Sequence, residues 1–83
     1  MTEKYLATLN TFVHQFPWGE RLLLLLHLLK DAKTPENQSQ IRIALYYLLD
    51  EIRQVNPAEY LLADALFTGF RVAQEEEMPH EAL

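Results

Sequence analysis

At 83 residues, with no cysteine and a formal net charge of −5, the chain has room for one domain and no means of forming a disulfide or a thiolate zinc site. A domain this short buries a modest share of its surface, so its core needs help, and oligomerisation is the helper that remains. Residues 1–33 carry four basic and three acidic groups and residues 34–83 three basic and nine acidic, a balance that argues against nucleic-acid binding, which needs clustered Lys and Arg.

The N-terminus shows no signal-peptide pattern, and the apolar run Leu22 to Leu26, broken at His27, falls far short of the roughly 20 residues that span a bilayer. The expectation is a cytoplasmic chain without a membrane span. Pro17, Pro35, Pro57 and Pro79 punctuate the sequence at intervals that each hold one helix and a short turn. No strand-like alternation is sustained between them.

The first helix is expected from about Thr2 to Gln15, with Tyr5, Leu6, Leu9, Phe12, Val13 and Phe16 forming one apolar stripe. The second, about Trp18 to Ala32, turns Trp18, Leu22, Leu25, Leu26 and Leu29 to the core and places Lys30 where a cation suits the helix dipole. The third, about Pro35 to Val55, begins at a Thr34 cap and carries a seam of Ile41, Leu45, Leu48, Ile52 and Val55. The fourth starts after Asn56, whose Asn56-Pro57-Ala58-Glu59 run resembles a capping box, and packs through Leu62, Ala63, Leu66, Phe70 and Ala73 to about Glu76. The acids from Glu75 onward sit at a helix C-terminus, where the dipole disfavours them, so fraying is expected there. These readings give an all-α, small antiparallel bundle of three to four helices over residues 1–76, completed by dimerisation, with a flexible acidic tail at 77–83.

Each of helices two to four has apolar side chains outside its core stripe. Leu23, Leu24 and Leu28 flank or oppose the core side of the second helix, and on the third Ile43 and Tyr47 form a second stripe while Tyr46 lies opposite the seam between Arg42, Asp50 and Arg53. Tyr60 and Phe67 edge an apolar arc of roughly 200° on the fourth, against the ≳100° of a single buried face. Contiguous apolar patches of this kind mark interfaces. These eight residues are the expected dimer or partner surface, with a two-fold pairing of helices two and three or three and four as the simplest closed solution.

Catalytic and cofactor chemistry find little footing. His14, His27 and His80 make no ligand pair at helical spacing, although His27 with Glu20 and Asp31 places an imidazole and two carboxylates on one helix. Ser39 is the only serine, Gly19 and Gly69 are the only glycines, and neither a nucleophile with its base nor a phosphate loop can be assembled from them. Asp50 with Glu51, and Asp64, read as solvated helix acids. The outer face of the fourth helix, with Asp64, Thr68, Arg71 and Glu75, suits phosphate poorly. No cofactor is expected. The function expected from sequence is a non-enzymatic protein-binding module, an adaptor, regulator or chaperone-like homodimer acting through an apolar and aromatic helical surface. The alternatives are a subunit of a hetero-complex, a helical transcriptional regulator, or a bundle that binds a metal or small ligand.

Overall fold

The computed structural model describes residues 1–77 as four helices, α1 (Thr2–Val13), α2 (Gly19–Asp31), α3 (Pro35–Val55) and α4 (Pro57–Glu77), with no strand among the described residues. Glu77, assigned by sequence to the tail, is the last residue of α4, and the rest of the expected tail lies outside the described residues. α1 stops two residues earlier than its stripe suggests, and Trp18 caps α2 rather than opening it.

Local chemistry explains where α3 begins and how it passes into α4. The Thr34 hydroxyl accepts a hydrogen bond from the Asn37 N–H at 3.2 Å, with Pro35 in the first turn where it forfeits no bond. Asn56 alone separates α3 from α4. Its N–H donates to the Ile52 carbonyl at 2.7 Å, and its own carbonyl accepts from the Tyr60 N–H at 3.0 Å. The Asn56 side chain accepts from the Glu59 N–H at 3.2 Å and donates its amide to Glu59 Oε2 at 3.0 Å. The capping box is therefore closed through the Asn amide instead of its backbone N–H, which the end of α3 already uses. The other Glu59 oxygen accepts the Trp18 indole N–H at 2.6 Å, fastening the start of α2 to the start of α4.

α1 and α3 each pack on α2 and α4, α2 and α4 meet across the diagonal, and α1 and α3 do not touch. The ion pairs that cross between neighbours fix direction. Glu3 near the start of α1 reaches Lys30 at the end of α2 (2.9 Å), and Arg21 early in α2 reaches Glu51 late in α3 (2.7 Å). The Met1 amino group reaches Glu77 at the end of α4 (2.6 Å). Every adjacent pair is thus antiparallel in an up-down-up-down four-helix bundle. Its core is Leu6, Leu9 and Val13 from α1, Leu22, Leu26 and Leu29 from α2, Leu45, Leu48, Leu49 and Ile52 from α3, and Ala63, Phe67 and Phe70 from α4, with Trp18 closing one end. Burying each large member is worth about 1.5–3 kcal/mol.

Five residues differ from the sequence reading, each because of where its helix sits in the bundle. Phe67, expected on an outer face, is only 3% exposed. α4 touches all three other helices, so its wide apolar arc is largely consumed within the monomer. Leu23 and Tyr60 are likewise half-buried against the core instead of standing free. Val55, expected in the seam of α3, is 81% exposed because the chain turns away at Asn56 one turn after the last buried residue, Ile52. Leu49, outside the expected seam, is buried, since α3 presents one flank to α2 and the other to α4.

Two glycines are placed where a side chain has no room. A Cβ on Gly19 would fall on the Val13 carbonyl across the α1–α2 turn, whereas one on Gly69 would stand 2.5 Å from the Tyr5 hydroxyl oxygen. That hydroxyl donates to the Leu66 carbonyl at 2.5 Å, which brings α1 close against α4. Gly19→Ala, meeting backbone, should destabilise the fold by about 2 kcal/mol or more. Gly69→Ala should cost less, because the tyrosine can swing aside and alanine gains about 1 kcal/mol in helix propensity. Urea denaturation of both variants measures the difference, and equal losses would contradict the close approach at Gly19.

Glu77 accepts from the N-terminal ammonium and from the Thr2 N–H, and these bonds hold its carboxyl at about 2 against an ordinary 4.5. They also explain why α4 persists through the acidic run that the dipole disfavours. A carboxyl depressed in the folded state stabilises it fully above its ordinary value and loses that contribution as pH falls through the folded value. The melting temperature of the wild type should therefore exceed that of Glu77→Gln at neutral pH, with the gap closing between about 4.5 and 2. A gap independent of pH would rule out the ionised pair as its source.

Candidate partner-binding surface

α3 is a corner helix, and its buried residues Leu45, Leu48, Leu49 and Ile52 occupy the side toward α2 and α4. The opposite side carries Ile43 (54% exposed), Tyr47 (74% exposed) and the exposed Tyr46. With Asp50 they surround a shallow depression of about 280 Å³. Tyr46 leans toward α4, its ring meeting the edge of buried Phe67 at 6.0 Å and 79°. Tyr47 lies one turn before Glu51, hence on the flank facing α2.

The Arg21–Glu51 pair sets the register between these two antiparallel helices. Counting from it, Leu24 lies level with Leu48, the residue after Tyr47, and Leu28 level with Ala44, and both leucines follow Arg21 at the spacings that share its side of α2. Leu24 is 60% exposed and Leu28 is exposed as well. Four of the eight residues expected at an interface, Leu24, Leu28, Ile43 and Tyr47, therefore border one face made by α2 and α3, Tyr46 stands between that face and α4, and Leu23, Tyr60 and Phe67 are drawn inward. Sequence reading missed the exposed Leu61 and Val72, which lie eleven residues apart on the outer line of α4 with Ala65 and Thr68 between them. A spacing of three helical turns was the available signal.

Two ion pairs border the α2–α3 face. Arg21 donates to Glu51 from both terminal guanidinium nitrogens, at 2.7 and 3.4 Å. This pairing raises the pKa of the arginine and lowers that of the glutamate. Asp50 accepts from Arg53 at 2.7 Å and from Gln54 at 2.8 Å. The carboxylates of Asp50 and Glu51 are thus engaged as salt-bridge acceptors, not paired with each other. Such exposed pairs add at most about 1 kcal/mol each, and their consequence is a neutral rim around apolar side chains.

A second concavity, about 240 Å³, opens where Pro17, Trp18 and Arg21 face Ile52, Val55, Asn56 and Glu59. Its polar groups are spent on one another, since both Glu59 oxygens and the Arg21 guanidinium are already bonded. The histidines are scattered. His14 Nδ1 lies 3.5 Å from Glu20, so Glu20 accompanies His14 and not His27, and His27 borders a groove with Glu3, Lys30 and Asp31. His80 lies outside the described residues. No helix among the described residues is long and apolar enough to cross a membrane.

Comparison with family models, with curated proteins and with solved structures found no match.

Proposed function

We propose that this chain is a small non-enzymatic protein-binding module whose α2–α3 face closes on a second copy of itself. The observation that carries the reading is the combination on that face of Leu24, Leu28, Ile43 and Tyr47 with a charge-neutral rim. Leucine, isoleucine and tyrosine supply contact area and anchoring, with nothing to move a proton or form a bond. The Arg21–Glu51 and Asp50–Arg53 pairs cancel four of the charges that two copies of net charge −5 would bring together, and the run Glu75 to Glu77 lies at the end of α4. A small domain also gains the most from further burial. In a dimer whose two-fold axis stands perpendicular to α3, that helix would run antiparallel to its copy, bringing the tyrosines of the two copies together near the axis.

Light-scattering mass after size exclusion, followed over a tenfold dilution, should give twice the 9.7 kDa chain mass. Leu24→Glu and Tyr47→Glu should each weaken association by at least tenfold, about 1.4 kcal/mol, while helicity by circular dichroism is unchanged. A wild type that stays monomeric and soluble at all concentrations would overturn the reading. A monomer that aggregates and is rescued by either Glu variant would instead assign the face to a different protein chain.

A further inference from the structure

On the other flank of α3, away from the proposed self-association face, Arg42 and Arg71 line one cleft of about 330 Å³ together with Tyr46, Gln74 and Glu75. We propose that this cleft binds an oxyanion, a phosphate or carboxylate group, between the two guanidinium groups.

The starting point is the census of cations. Arg21, Lys30 and Arg53 each hold a carboxylate, at 2.7, 2.9 and 2.7 Å. Lys4, Lys33, Arg42 and Arg71 hold none among the described residues, although the chain has 12 acidic side chains for 7 basic ones, and of these four only Arg42 and Arg71 line one cleft. They lie 29 positions apart in sequence, on α3 and α4, and reach the same cleft because these helices run antiparallel. Two like charges in one concavity repel, and an anion between them removes that repulsion.

The site is also braced from beneath. Phe67, fully packed in the core, carries the Arg71 guanidinium 6.0 Å from its ring centroid and meets the ring of Tyr46 edge-on. At that distance, the outer limit of a cation–π contact, the ring uses none of the guanidinium N–H groups, which remain available to grip an oxyanion with two parallel hydrogen bonds. The Tyr46 hydroxyl and the Gln74 amide add neutral donors. Glu75, one turn after Arg71, lowers the net positive charge of the rim and sets an upper limit on affinity. With only two cations the cleft fits one anionic group, whereas a nucleic-acid backbone demands a row of them.

The test is a titration of the 15N-labelled protein with sodium phosphate, and separately with sodium acetate, at constant ionic strength, observing the arginine Nε–H signals. Those of Arg42 and Arg71 should move together and saturate in the millimolar range, with Arg21 and Arg53 as paired controls. Arg42→Gln and Arg71→Gln should each weaken binding about tenfold, and Glu75→Gln should strengthen it. Stronger saturation by phosphate would identify a phosphoryl group as the ligand, and stronger saturation by acetate a carboxylate. Shifts that stay linear, or that are equal at all four arginines, would overturn the site. The scattering mass of the same variants should match wild type, so failure of the anion site and failure of the self-association face are separate results.

Discussion

The structure depends on the single-residue joint at Asn56. Two helices of 21 residues meet there with no slack, so α3 and α4 must fold back against each other over their whole length. Asn56 completes the end of one helix with its backbone and the start of the next with its side chain. Glu59 carries the constraint further by accepting the Trp18 indole, which places the start of α2 beside the same joint. With one end of three helices fixed in this way, α2 has little choice but to descend along α3, and α1 takes the remaining groove beside α2 and α4.

Unequal helix lengths then decide what is covered. α1 and α2, at 12 and 13 residues, are roughly 18 to 20 Å long, whereas α3 and α4 extend for about 31 Å. The α1–α2 turn, with Phe16 stacked on Trp18 at 4.8 Å, fills the difference at the Asn56 end. At the far end the α2–α3 connection runs extended beside the first turns of α3, held by the Gln38 amide on the Ala32 carbonyl at 3.3 Å. α3 touches only two neighbours, so its outer side has no other helix to bury it. α4 touches three, which is why two aromatic helices of equal length differ so much in what they expose.

Charge follows the same logic of position. Three of the inter-helix ties join helix ends, where they fix direction at small energetic gain. The rim of the α2–α3 face is neutralised by its own pairs, while the α3–α4 cleft keeps two cations without a carboxylate partner among the described residues. An outward apolar stripe and a solvent-open cationic cleft thus sit on different flanks of the same helix, with Tyr46 between them. Self-association and anion capture, as proposed, would use different flanks and could operate together.

Sequence by itself determined the helices and their caps. Apolar spacing near 3.6, prolines at each boundary, Thr34 and Asn56 at cap positions, and stripes such as Leu22, Leu26 and Leu29 are local signals, legible because each depends on residues within one or two turns. The second stripe on α3 was legible for the same reason. How a wide apolar arc is used was not, because that depends on how many neighbours a helix has. Phe67 and Ile43 look equivalent on their helical wheels, yet one is core and the other surface, since α4 lies on the short diagonal of the bundle and α3 at a corner. The meeting of Arg42 with Arg71, the close approach at Gly19, and the exposure of Val55 were likewise decided only by tertiary structure, because each is set by a distance between segments that no local pattern encodes.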